Sequence, residues 1–430
     1  MPAVPGQLAD RLGGLADKTV VSKHRRQLRR ELVRGSSLTL AATAIGSVLS
    51  LMYTVGVARL LRPDQYGELV GMLSLVGLLA APAGALQLVV ARFAAVAAAE
   101  RTIGQFRATL AQLLTIMASS AAVLMTAGAL GAGPVARFLQ LPSAAPVWWA
   151  LPLLGGGLLL PVLRGSLQGF CRFGTLAALS TVDVLCKVVL GLALVAAGFG
   201  SAGAMAALVV GLSVGSLLTT LALRAFLAIP PEPQRAGTLR AMTSFSIPVL
   251  GVSGGLSALS MLDTLLARHY FAPAEAGQYA AIAVAGRSVF WISGAVATAG
   301  LPLAARGRTT LLWPALLLTG AIGLGGVVLF HVFSKPIVTI LFGARFLAAA
   351  DLLPDYAWAA LLLSLGNIGV NDLLGRGHGN AVFPVLAALV TFVGLAAIFH
   401  SDALQLIYDL AAAGIVFLVA LVPIVRWAAT

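Results

Sequence analysis

Residues 58–67 read Ala-Arg-Leu-Leu-Arg-Pro-Asp-Gln-Tyr-Gly, and residues 267–277 read Ala-Arg-His-Tyr-Phe-Ala-Pro-Ala-Glu-Ala-Gly. Each stretch follows an apolar run of membrane-spanning length and precedes another. The second run ends in a basic residue, Arg92 in one case and Arg306 in the other. Two copies of one helix–turn–helix, about half the chain apart, predict two similar halves, an arrangement common among transporters.

The composition carries the same message. A mean hydropathy of +0.97, with 59% apolar and 10% charged residues, lies far outside the soluble range. The formal charge of +13 does not point to nucleic acid, because the basic residues sit between apolar runs and mark orientation in a membrane. Cys171 falls in a loop and Cys186 inside a span, so neither suggests a disulfide framework or a metal site. No Asn-X-Ser/Thr acceptor occurs.

A helix needs about 20 residues to cross a hydrocarbon core of roughly 30 Å. Twelve segments meet that length: 36–58, 67–90, 109–130, 146–164, 176–197, 203–223, 243–266, 278–301, 311–332, 354–374, 382–399 and 405–425. They lack the alternation of a membrane barrel, so the chain is an all-α integral membrane protein.

Of the 28 Lys and Arg residues, six lie in loops after odd-numbered spans: Arg59, Arg62, Arg137, Arg268, Lys335 and Arg345. Lys187 and Arg287 fall within spans, and the remaining 20 occupy the termini and the other loops. That asymmetry places both termini in the cytoplasm. Asp64, Glu68, Glu275, Asp351, Asp355, Asp402 and Asp409 then lie on or near the outer side.

Residues 1–35 form a basic cytoplasmic segment that anchors the first span, or a surface helix gripping anionic lipid. Residues 36–223 and 243–430 are the two six-helix bundles. The Pro-rich stretch 224–242 is the linker between them. An even number of spans per half makes the repeats parallel, related by a pseudo-two-fold axis along the membrane normal. Residues 333–353 are too interrupted for another span and read as an outer interfacial segment.

Ionisable groups within spans cost roughly 2.5–3.5 kcal/mol each on insertion scales, so they are functional candidates. Asp183 and Lys187, four apart on the fifth span, share a helix face and can neutralise each other or meet substrate. Asp263, near the outer end of the seventh span, is a candidate ion-coupling site. Arg287 lies roughly 14 Å into the eighth span at helical rise. Its guanidinium suits a diphosphate, while the plainer reading is an ion pair with Asp263.

The first span carries Thr39, Thr43, Ser47, Ser50 and Thr54 as one polar stripe, and the tenth carries Ser364, Asn367 and Asn371. Such stripes either pack helices or line a hydrated cavity. Asn367 and Asn371 join Arg287, Lys187 and Asp183 as candidate substrate contacts. Gly211/Gly215 and Gly251/Gly255 mark close helix packing. Arg59 and Arg268 read as outer-end anchors that cap spans one and seven.

Little points to catalysis. The five histidines have no metal-ligand spacing, no Walker loop is present, and the chain is not read as an enzyme or as binding a cofactor.

The segment Arg59–Gly67 resembles the pattern of the polysaccharide-transporter (oligosaccharide flippase) family of the multidrug/oligosaccharidyl-lipid/polysaccharide exporter superfamily. Arg164–Phe173, Asp263–Tyr279 and Leu341–Phe346 are similar to further parts of that pattern in the same order. The resemblance implies two six-helix bundles around a central cavity that opens to one side at a time. It also implies transport of lipid-linked oligosaccharides on a polyprenyl diphosphate carrier across the cytoplasmic membrane. Membrane lipids and glycan polymerase or assembly proteins are the implied partners. Twelve spans rather than fourteen set the chain apart from lipid II flippases. The rival functions are a drug or small-solute exporter of the same superfamily and an outer-face polysaccharide polymerase or ligase.

Overall fold

The computed structural model describes residues 45–233, 238–304 and 312–427, with the side chains of 238–246, 292–304, 426 and 427 left aside. The basic segment 1–35, Thr39, Thr43, Arg306 and linker residues 234–237 lie outside the described residues. The described chain is helical. In the N-terminal half the helices are α1 (Ile45–Leu60), α2 (Pro63–Glu100), α3 (Ile103–Leu130), α4 (Ala132–Phe138), α5 (Ala145–Gly169), α6 (Phe173–Leu194) and α7 (Gly200–Leu227). In the C-terminal half they are α8 (Thr238–Leu259), α9 (Leu262–Tyr270), α10 (Pro273–Ala304), α11 (Leu312–Leu341), α12 (Leu353–Gly375), α13 (Val382–Ile398) and α14 (Ala403–Trp427).

Each of the twelve expected spans falls on described helix, the first from Ile45 onward, while α2 runs on past its expected end at 90 to Glu100 and α11 past 332 to Leu341. Nine stretches among the described residues are long and apolar enough to cross a bilayer. One of them, Phe173–Leu227, is the α6–α7 hairpin. Its turn falls at Gly198 (φ 92°) and Gly200 (φ 57°), left-handed backbone that glycine adopts without steric cost. The seventh span departs from expectation. It is broken at Ser260–Met261 into α8 and α9, which puts Asp263 in the first turn of a new helix.

Segment 333–353 also differs from the expectation of a separate interfacial piece. α11 runs on through Lys335 to Leu341 past a non-helical Phe333, and a 3-10 turn over Ala344–Leu352 leads into α12.

Both copies of the repeated motif form the same tight hairpin, α1–α2 and α9–α10. In each, a proline opens the second helix (Pro63, Pro273), where its missing N–H costs nothing. Arg62, directly before Pro63, is extended, as the proline ring requires of its neighbour.

We call the side of the molecule that carries these two hairpins the hairpin face, and the opposite side the terminal face. Within its own half α2 packs on α5. Across the seam it packs on α8, α9 and α10. The buried core runs through both halves along this seam. Leu317, Val328, Phe383 and Val390 are among many large apolar side chains exposed on the outside of the bundle. That surface suits hydrocarbon and marks a multi-pass membrane protein.

Candidate substrate site

The break before α9 positions the most charged point of the seam. Asp263 is wholly buried at the N-terminus of α9, where the helix dipole favours a carboxylate. Arg287 of α10 is 8% exposed and donates from Nη2 to Asp263 Oδ1 at 2.6 Å. The same Nη2 bonds the hydroxyl of Thr264, while Nε donates to the Tyr356 hydroxyl at 3.2 Å. Tyr356 in turn donates to Asp263 Oδ2 at 2.7 Å, and Tyr279 donates to the same oxygen at 3.3 Å. Buried charges need this degree of pairing and hydrogen bonding to be tolerated. The ion pair between Arg287 and Asp263, one of the two readings of the sequence, is therefore present.

Arg287 also faces open space. These bonds occupy Nε and Nη2 and leave Nη1 over. Arg287 lines a cavity of about 170 Å³ between the halves, with Tyr53 and Thr54 of α1, Tyr66 and Ser74 of α2, and Met261. The Tyr66 hydroxyl is buried without a hydrogen-bond partner among the described residues. Tyr53 is fixed by donation to the Ala204 carbonyl at 3.0 Å. Among the described residues no Asp or Glu lines the cavity. Val57, Leu69, Val70, Leu73 and Val284 make most of the remaining wall apolar, so the polar points open to an anionic oxygen-rich group are the Arg287 guanidinium and the unpartnered Tyr66 hydroxyl. The volume falls below the roughly 300 Å³ at which small-molecule pockets begin, so this conformation holds no oligosaccharide.

A clasp between the halves roofs the cavity at the hairpin face. Arg268, 2% exposed, reaches into the opposite half, where Nε donates to the Leu139 carbonyl at 2.8 Å and Nη2 to the Gln140 carbonyl at 3.0 Å. Arg59, the matching residue of the first copy, donates to the Ile340 carbonyl at the end of α11. Each repeated arginine thus holds the far half's helix end, rather than capping its own span as the sequence suggested. Gln140 donates to the His269 carbonyl at 2.7 Å, and the His269 ring stacks on Phe138. Arg345 reaches the Leu61 carbonyl at 3.4 Å. Gly67 and Gly277 meet backbone to backbone at the centre.

The other sequence candidates lie elsewhere. Asp183 does not form its ion pair with Lys187. It accepts from Arg164 of α5 at 3.1 Å, and both side chains are mostly buried. Arg164, expected at a span end, lies inside α5. Asn371 donates to the backbone carbonyl and the side-chain oxygen of Asn367 at 2.8 and 2.7 Å, so the two are engaged with each other on α12. Ser364 donates to the Ala360 carbonyl at 2.6 Å. Of the stripe on the first span, Thr54 reaches the cavity. Gly211 and Gly215 do bring α7 close, onto Asp183, Lys187 and Arg164. Sequence reading missed Tyr66, Tyr279 and Tyr356. Tyr66 and Tyr279 stand in or beside the repeated motif, which was the available signal.

Comparison with known proteins agrees with this architecture. A family model described as "Polysaccharide biosynthesis protein" matches residues 32–306. No curated protein sequence matches the chain. The fold is similar to that of an inward-facing multidrug resistance MATE family transporter of the MOP superfamily, with a TM-score of 0.67 at 15% identity over 89% of this chain and 97% of that one. It is also similar to the lipid II flippase MurJ in an inward closed conformation, with a TM-score of 0.70 at 13% identity over 90% of this chain and 87% of that one. An outward-facing MATE family transporter gives a TM-score of 0.58 at 17% identity over 91% of this chain and 93% of that one. With the family model spanning well over half of its length, the chain belongs to the polysaccharide biosynthesis protein family, on a fold shared with transporters and a flippase.

Proposed function

We propose that this protein flips a lipid-linked oligosaccharide, carried on a polyprenyl diphosphate, from the inner to the outer leaflet of the cytoplasmic membrane. The observation that carries the proposal is Arg287: a buried cation, paired behind with Asp263, that opens onto a cavity with no carboxylate among its described lining residues, at the seam between two similar halves. The family match adds polysaccharide biosynthesis as the setting. The lipid II flippase among the structural neighbours gives a precedent for a lipid-linked cargo on this fold.

Stripping water from a sugar head group in hydrocarbon costs several kcal/mol per polar group. A polar space between the halves replaces those hydrogen bonds while the polyprenyl tail stays in lipid. Nη1 of Arg287 and the Tyr66 hydroxyl are the donors we assign to the diphosphate. Asp263 has donors on both oxygens, so we read it as the counter-ion that holds Arg287 in place rather than as an ion-coupling site.

The excess of Lys and Arg at the terminal face supports a cytoplasmic location for that face and for both chain termini. The hairpin face is then the outer one, and the clasp is its closed gate. Neighbours described as inward-facing or inward closed score above the outward-facing one, which supports the same reading. Residues 36–223 and 243–430 act as the two moving bodies, with 224–242 joining them. A glycan polymerase or assembly protein at the outer face is the partner that would consume the product.

The test is reconstitution. Purified protein in liposomes should expose a lipid-linked oligosaccharide to an enzyme confined to the far leaflet, under at least one imposed ion gradient. Failure under every gradient would sink the proposal, and efflux of a cationic dye instead would move the protein to the drug exporters.

A further inference from the structure

We infer that Lys187, with Arg164 beside it, forms a second diphosphate-binding station in the N-terminal half. The inference rests on the flippase reading for the identity of the ligand and on charge and geometry for the site.

On α1, α3, α5, α6 and α7 the sequence holds one carboxylate, Asp183. Its Oδ2 is taken by Arg164. Lys187 therefore brings an extra positive charge to the middle of the bundle, roughly 21 Å along α6 from its start at Phe173 by helical rise. A cation at that depth is expensive unless it meets an anion or lines a hydrated space. Arg164 adds an orphan: its Nε is buried without a hydrogen-bond partner among the described residues.

Lys187 shares a helix face with Val184, Val188 and Gly191, which point into the protein rather than to lipid. Gly211 of α7 backs onto the Lys187 side chain and Asp183, and Gly215 onto Arg164. Any larger residue at these two positions would press on the cluster. One turn beyond Lys187, Gly191 lies against the Tyr53 ring, and Tyr53 is a wall of the Arg287 cavity. Lys187 thus lies one helical turn from a residue packed on Tyr53, whose ring walls the Arg287 cavity. A diphosphate entering from the terminal face meets the N-terminal cations first. It passes to Arg287 once Tyr53 releases the Ala204 carbonyl and its ring swings away.

The test uses farnesyl diphosphate as a probe, with the full-length protein in phosphatidylcholine nanodiscs. Lys187→Gln should weaken equilibrium binding about tenfold. Lys187→Arg should restore it, and binding of uncharged farnesol should be the same in all three proteins. Adding phosphatidylglycerol should leave the affinity unchanged, because the station takes the carrier's diphosphate rather than a membrane phosphate. Unaltered binding by Lys187→Gln, equal loss for farnesol, full competition by phosphatidylglycerol, or no binding by the wild type would each overturn the inference. Lys187-dependent binding in a protein that moves no lipid-linked oligosaccharide would instead overturn the flippase reading and leave the station standing.

Discussion

Gly67 and Gly277, the last residues of the two motif copies, press together backbone to backbone where the halves meet. A Cβ built on Gly67 would stand 2.7 Å from the Gly277 Cα, and one built on Gly277 would run into the Pro63 carbonyl. The repeat is therefore a contact surface as well as a duplication. Each copy is the other's partner across the pseudo-two-fold axis, and nothing larger than glycine fits at its centre.

Gly277→Ala should accordingly force the hairpin face apart. Overpacking typically costs about 1–3 kcal/mol, felt in the closed form alone. The measurement is the distance between spin labels at Ser143 and Ser401, exposed on the N- and C-terminal halves at this face, with Cys171 and Cys186 replaced by serine. A longer distance is expected for Gly277→Ala and a smaller increase for Gly67→Ala. Unchanged distances in both would mean that the hairpins do not control this face.

Arg268 gives a second handle on the same gate. Its guanidinium holds two carbonyls of the opposite half and the Pro273 carbonyl of its own hairpin. A hydrogen bond to a charged group is worth roughly 1.5–3 kcal/mol, so Arg268→Ala should shift the closed–open balance by about ten- to a hundredfold. Labelling of a cysteine placed at Tyr66, buried under the clasp, reads this directly. Faster modification from the hairpin face is expected, and a rate equal to that of the intact clasp would remove Arg268 from the gate.

The buried network predicts asymmetric effects on stability. Asp263→Asn leaves Arg287 as an unpaired buried cation, a loss of about 3–5 kcal/mol for breaking such a pair. The double variant Asp263→Asn with Arg287→Gln should recover part of it. Tyr356→Phe should cost more than Tyr279→Phe, because Tyr356 bonds both ions and its bond to Asp263 is the shorter one. Thermal unfolding in detergent across this cycle gives the coupling energy. Additive losses at Asp263 and Arg287 would mean that the pair does not hold the network.

Much of the fold was legible because hydrophobic length and charge placement act locally. The apolar spans, the repeated hairpin and the rare charges within spans, Asp263 and Arg287 among them, can all be read from segment length and residue type alone. What escaped depended on contacts between distant segments. Arg268 reads as a helix-end anchor until the end of α4, a helix of 7 residues too short to read as a span, is known to lie against it at Leu139 and Gln140. Asp183 reads as the partner of Lys187 four residues on, because i,i+4 pairing is the visible option, yet Arg164 of the preceding helix reaches it first. Tyr356 could not be tied to Arg287, 69 residues away, by any local pattern. The break before Asp263 was hidden because the stretch from Pro248 to Leu262 carries no charge and no second proline to mark it.

The most direct test is the rate at which a lipid-linked oligosaccharide crosses proteoliposomes containing the wild type or Arg287→Ala, at matched amounts of folded, inserted protein. The expected result is transport by the wild type and a loss of at least about tenfold on removing the guanidinium, the scale of a single charge-assisted contact to a phosphate. Transport by Arg287→Ala at the wild-type rate would contradict the assignment of the diphosphate to the seam between the two hairpins.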